Sequence, residues 1–561
     1  MSVDFLVAGG RLVNVYSGEI LERDLAVKGR WIVWVGPRGA CPEPAGQVIE
    51  AGGDYLLPGF FDAHTHLDLF YNPFAYAEYV LTRGTTCLFN DMQDLANALG
   101  APAYLRLARR LASGPLSIFH SAPAAAPPYP EFEGGDLWSA EDLALALQED
   151  HVLSVSEVTA ISRLVNGAPD LMAKLGLARS MGKLVEGHTV GANDDKLNRL
   201  AVAGVTSCHE SLRASDVTRR LRLGYTVMLR QGSIRQDLPQ LMPAVLELQS
   251  FDLSRVMLVS DGIFADHMLE WGNMDWVVSE AVRLGLPPVR AIQMATLNPA
   301  RYFHLDHLMG GLAPGRLAHL LLAADLARPT PRLVMAAGRV LARDGRLCLP
   351  GLGGPATADL GGRPFTLPPP TARDMLIPTL PGPVPVIQII DQTVTGRLDL
   401  QPPVKDGHYQ PGGDLIAALL FSRDGGKVGR GLVSGFCPGL GGLASTVAHE
   451  THGLLVAGQD PRDMAQAAAE VLAMGGGVAL AQGGRLLARM PLPLGGICSL
   501  GSLPETAEQI RTLNRALRGL GSPLIYPLWT FGFFSYTSVL KLRLTYEGVL
   551  DVRACRIVFA P

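Results

Sequence analysis

Two histidines, His64 and His66, close an apolar run that passes through Tyr55-Leu56-Leu57-Pro58-Gly59-Phe60-Phe61-Asp62-Ala63. The run reads as a buried strand, and strand residues at i and i+2 leave the same face, so both imidazoles are offered to one point. Such a pair suits a divalent metal but cannot complete its shell. Four later apolar runs end in further metal-competent side chains: Glu157 after Val152-Leu153-Ser154-Val155-Ser156, His188 after Lys183-Leu184-Val185-Glu186-Gly187, then His209 and Asp261. Taken singly, Glu157 reads equally as a solvated strand-end charge, His188 and His209 as loop or core histidines, and Asp261 as a helix cap before Gly262. Their joint occurrence at strand ends is what argues for a metal site. Mixed His and carboxylate ligands suit Zn²⁺, Mn²⁺ or Fe²⁺, and six ligands exceed the need of one tetrahedral ion, so two ions sharing a bridging carboxylate are expected. A divalent ion lowers the pKa of bound water from about 15.7 to about 7, which points to hydrolysis. Asp261 is the candidate to take that water's proton and pass it to a leaving group.

The elements that must position these residues follow from the alternation of apolar runs with helix-compatible stretches. Eight runs end near Asp62, Asn90, Ser121, Glu157, His188, His209, Arg230 and Asp261. Eight strand–helix alternations match an α/β chain with a (β/α)8 TIM barrel, whose active site lies at the C-terminal strand ends. Short β-type runs in residues 1–57 and again in 310–350 predict one composite β-sandwich interrupted by the barrel at 58–309. A Pro-rich linker is expected at 351–384, and a separate C-terminal α/β domain at 385–561.

Composition narrows the function classes. The chain has 561 residues and a net charge of −4, with no long basic run, so nucleic-acid and membrane-surface roles are disfavoured and a small-molecule substrate is expected. Its seven cysteines stand singly without a CxxC, as in reduced cytoplasmic proteins. No signal-peptide pattern or charge-free membrane span is read, although the mean hydropathy is +0.20.

The motifs together resemble the amidohydrolase superfamily and, within it, the adenine deaminases. The resemblance is carried by Pro58 to His66, Arg83-Gly84-Thr85-Thr86, Glu157-Val158, Gly187-His188, Cys208-His209-Glu210, Arg230-Gln231-Gly232-Ser233 and Met294-Ala295-Thr296-Leu297-Asn298-Pro299-Ala300, and in the C-terminal part by Ala448-His449-Glu450-Thr451-His452 and Pro491-Leu492-Pro493-Leu494-Gly495-Gly496. It implies a two-metal centre, usually manganese or iron with zinc as an option, held by His64, His66, Glu157, His188, His209 and Asp261. It also implies hydrolysis of adenine; a related purine-like amino-heterocycle stands beside adenine as substrate, and a cytoplasmic homo-oligomer is expected. Asp261 and Glu210 are the expected catalytic residues, Glu210 in a supporting part because a strand residue after a ligand normally points away. Arg230, Ser233, Gln93 and Asp94 are the expected substrate-binding residues.

The pocket departs from that pattern. Asp91-Met92-Gln93-Asp94 stands where the family reads Asp-Pro-His-Glu, and Asp261-Gly262-Ile263 where it reads Asp-Asp-Arg. Lost polar groups change substrate preference, so cleavage of a cyclic amide or another C–N bond, or a silent ligand-binding relative, stand as alternatives. His449-Glu450-Thr451-His452 is not a zinc-protease motif, because its histidines lie at i and i+3. His449 and Glu450 are candidates for the mouth of the site. The loop Ala122 to Gly135 is read as a lid, a wall or a surface excursion.

Overall fold

A computed structural model describes residues 2–248, 252–348 and 360–561. Eight parallel strands, numbered here β1 to β8, form the barrel: Phe60–Thr65, Thr85–Asn90, Ser117–Ala122, Val152–Val158, Leu184–Gly187, Ser207–Cys208, Thr226–Arg230 and Val256–Val259. Their ladder is continuous from β1 to β5 and from β6 to β8. Each of the two seams is crossed by a backbone hydrogen bond: the Thr206 N–H donates to Val185 O at 3.0 Å, and the Asp261 N–H to His64 O at 3.0 Å. A buried side chain helps at the second seam, where the Ser260 N–H donates to Asp62 Oδ1 at 3.1 Å.

Register breaks fall on the ligand-bearing stretches. The β1–β2 pairing shifts between Asp62 and Thr65, and the β4–β5 pairing between Val155 and Val158. Such irregularities re-aim a side chain that a regular ladder would direct elsewhere.

Around the barrel, strand Tyr55–Pro58 pairs antiparallel with Leu320–Ala323, which joins the N-terminal β segment to the one that follows the barrel. The long strand Glu19–Lys28 pairs through one half with Arg11–Asn14 and through the other with Val3–Ala8. Val7, Leu25, Ile32, Leu56, Leu320 and Leu333 fill the space between the two halves. No helix or strand occurs among residues 361–383, and positions 351–359 of the expected linker lie outside the described residues.

The C-terminal part is built on an eight-stranded sheet that starts at Val384–Ile389. Asp460 caps the helix Pro461–Ala473 by accepting from the Arg462 and Asp463 N–H groups, and Ser502 with Glu505 form a capping box at the start of Leu503–Gly519. One apolar cluster includes Leu95, Leu99 and Trp138 of the barrel together with Phe421, Leu494 and Trp529. The sheet domain is therefore packed on the barrel, over the C-terminal ends of the strands.

Candidate metal centre

The six expected ligands converge. His64 lies within β1, His66 one residue past its end, and their rings meet edge to face with centroids 5.0 Å apart. The His66 ring Nδ1 lies 2.7 Å from Asp91 O; a proton on Nδ1 donated to that carbonyl leaves Nε2 bare for a ligand role. Asp261 Oδ1 is 3.4 Å from the Nε2 atoms of both His64 and His66. On the other side Glu157 Oε2 is 2.7 Å from His188 Nδ1 and 3.1 Å from His209 Nε2. The His64 and His209 rings stack with centroids 4.1 Å apart.

Three overlapping triads hold their ligand atoms within 4.8 Å of one another: His64, His66 and Glu157; His64, His209 and Asp261; Glu157, His188 and His209. His64, Glu157 and His209 each belong to two of the triads, and of the three Glu157 has the two carboxylate oxygens with which one side chain can serve two ions. Both ring nitrogens of His64 are buried without a hydrogen-bond partner, a costly state that a metal ligand bond relieves. The donor set thus fits a pair of divalent cations.

Asp261 sits at φ +50°, a strained backbone for a residue with a Cβ, two residues past the end of β8. Its Oδ2 accepts from Arg230 Nη1 at 3.0 Å. Arg230 also donates to Asp237 Oδ2 at 2.8 Å and to both carboxylate oxygens of Glu210. Burial opposes the Glu210 charge, but Arg230, His188 and His209 outweigh it and hold the group at about 2. Burial likewise opposes the Asp261 charge, and the neighbouring His64 and His66 rings, with His209 and Arg230, hold it well below the usual carboxylate range. Burial disfavours the His209 cation, yet Glu157, Asp261 and Glu210 raise the ring to about 9.

A cavity of about 180 Å³ opens above these groups, a volume for a small molecule and not for a polymer. The barrel supplies its floor, and the C-terminal domain supplies its roof through Thr393, His449, Glu450, Trp529, Phe533 and Tyr536.

Residues 55–341 match the amidohydrolase family, and residues 392–556 match the adenine deaminase C-terminal domain. An adenine deaminase of Moorella thermoacetica is 34% identical, covering 100% of this chain and 96% of its own length. One of Rubrobacter xylanophilus is 35% identical over 98% of this chain and 93% of its own. The chain belongs to the amidohydrolase family, in its adenine deaminase branch. Among solved structures, N-isopropylammelide isopropylaminohydrolase from Burkholderia multivorans is similar with a TM-score of 0.48 and 20% identity, covering 62% of this chain and 100% of that one. Amidohydrolases generally use divalent metal, in keeping with the buried His, Glu and Asp cluster.

The remaining sequence candidates are placed as follows. Glu210 lines the cavity, 3.6 Å from His209 Nε2, and does not point away from it. β6 ends at Cys208, so the alternation expected of a strand does not extend to His209 and Glu210. Arg230 lines the cavity too, but its donors are taken by three carboxylates, which makes it a positioning group. Asp94 is likewise engaged: its carboxylate lies 2.7 Å from His449 Nδ1 and 2.8 Å from His452 Nε2. Gln93 Nε2 donates to Glu450 Oε2 at 3.3 Å. Ser233 is outside the cavity lining; its hydroxyl accepts from the Phe264 N–H at 2.7 Å and lies 2.8 Å from His267 Nδ1. Gly262 and Ile263 are buried, and Gly262 packs against Leu69. The loop Ala122 to Gly135 lies outside the cavity lining and supports the roof from behind, where Glu133 Oε1 accepts from the Thr537 hydroxyl at 2.6 Å.

Sequence reasoning missed Asp237 and the aromatic roof. Nothing in the sequence marks Asp237. The roof had a signal, the density of aromatic residues from Tyr526 to Tyr536.

Proposed function

We propose that this chain hydrolyses adenine to hypoxanthine and ammonia at a centre of two divalent ions, manganese or iron, held by His64, His66, Glu157, His188, His209 and Asp261. The observation that carries the reading is the sharing of the Glu157 carboxylate between two ligand triads at the floor of a small cavity. Its wall of Trp529, Phe533 and Tyr536 has the chemistry to receive a flat heterocycle by stacking or edge contacts. The adenine deaminase relatives align with nearly the whole chain, including the domain that supplies this wall.

Held by these six residues, a pair of divalent ions would supply an activated water for attack on the amino-bearing ring carbon. Asp261, ionised and anchored by Arg230, is positioned to take a proton from that water and return it to the departing amine. Glu210 stays charged and fixes the guanidinium that fixes Asp261. The C-terminal roof covers one side of the site and shields that side from solvent.

Ammonia release by manganese-loaded protein, measured over adenine, guanine, cytosine and pterins, tests the reading. Turnover of adenine with ammonia and hypoxanthine in equal amounts is expected. Turnover of another base alone would keep the metal chemistry and overturn the substrate.

A further inference from the structure

The segment that forms the roof is anchored on both sides of Tyr536. Arg543 Nη1 donates to Phe533 O at 2.8 Å, the Ser535 hydroxyl to His449 O at 3.1 Å, and the Thr537 hydroxyl to Glu133 Oε1 at 2.6 Å. The Ser538 hydroxyl donates to Glu450 Oε1. Tyr536 lines the cavity, and among the described residues its hydroxyl makes no hydrogen bond; Trp529 Nε1 and His449 Nε2, of two further lining residues, are buried without a partner as well, and Tyr536 is the hydroxyl among the three. Its ring is held edge-on by Phe533, with centroids 4.7 Å apart, and by His449 at 5.7 Å. A phenol fixed by its ring, on a backbone tied down on both sides, with a free hydroxyl beside a metal-competent floor, is arranged as a ligand-reading group.

We propose that Tyr536 contacts the bound base directly, its hydroxyl donating a hydrogen bond to a ring nitrogen, and that this contact selects which amino-heterocycle the site accepts. Burial and then the charges of Glu157, Glu450, Glu210 and Asp94 push its pKa well up, so the hydroxyl keeps the proton it would donate. Purine-like bases offer in-plane nitrogen acceptors at their edges, and Tyr536 belongs to the part of the lining that the C-terminal domain supplies. Gln93 and Asp94, the positions where the pocket departs from the family pattern, are committed to Glu450 and to His449 with His452, so recognition passes to a group on the roof. This inference rests on the reading that the cavity receives an amino-heterocycle.

Tyr536→Phe removes the hydroxyl and keeps the ring. In manganese-loaded enzyme, kcat/KM for adenine is expected to fall about 10- to 100-fold, with metal content and melting temperature unchanged. Inhibition constants for 1-, 3- and 7-deazaadenine give the readout that a merely structural role would not move. Two of these analogues are expected to bind more weakly to the variant than to the wild type, and the one lacking the contacted nitrogen equally well to both. An equal penalty on all three, or less than a twofold change on adenine, overturns the role of Tyr536. Failure of the wild type to release ammonia from adenine instead overturns the functional reading, and the Tyr536→Phe comparison is then made on the base that the wild type turns over.

Discussion

Replacing Arg230 with Met leaves three buried carboxylates, Glu210, Asp237 and Asp261, without the cation they share. Holding Glu210 at about 2 instead of its ordinary 4.5 corresponds to roughly 3 kcal/mol of stability. A depressed carboxylate contributes this above its unfolded pKa, so the term is present at neutral pH and is lost as pH falls from 4.5 to about 2. Breaking a buried ion pair by removing one partner gives a similar figure, about 3–5 kcal/mol. At 2–4 °C per kcal/mol for a barrel of this size, the metal-free variant should melt roughly 6–12 °C below the wild type at pH 7.5. Thermal unfolding of chelated protein, followed by fluorescence, measures this. Adding Glu210→Gln to the variant should recover part of the loss, because one uncompensated charge is then removed. Melting within a degree of the wild type, or strict additivity in the double variant, would refute the claim that Arg230 balances this cluster.

Glu157→Gln should bring bound manganese below two ions per chain, because Glu157 serves a triad on each side; elemental analysis after gel filtration reads it. Metal affinity should rise with pH between 7 and 9, since His209, raised to about 9 in the metal-free protein, must release its proton to coordinate. Calorimetric titration in two buffers of different ionisation enthalpy gives the proton count, and pH-independent binding with no proton release would contradict it. Asp94→Asn should weaken the hold on His449 and His452, lowering stability by about 1.5–3 kcal/mol and raising KM for the base more than it lowers kcat. Gly232→Ala should destabilise by about 1–3 kcal/mol, because an added Cβ would lie 2.0 Å from the backbone oxygen of Ser260; urea unfolding of the pair checks it.

The metal-competent residues were legible because a barrel places its functional side chains at strand ends, and strand ends show in sequence as the close of an apolar run. His64, Glu157, His188, His209 and Asp261 all stand at such points. Glu210 is less legible, because alternation of side chains holds only within a strand and β6 is only Ser207–Cys208. The roof was less legible still. Asp94 meets His449 across 355 residues of sequence and Gln93 meets Glu450 across 357, and local pattern carries no information about such pairings. A left-handed backbone at Glu450, φ +73°, and at His452, φ +46°, aims these groups in a way that no propensity scale anticipates.

Incubation of manganese-loaded protein with adenine in ¹⁸O-labelled water tests the central claim most directly. The account predicts hypoxanthine carrying one ¹⁸O at the carbon that bore the amino group, with an equal amount of ammonia. Unchanged adenine, from protein shown to hold its metal, would contradict it.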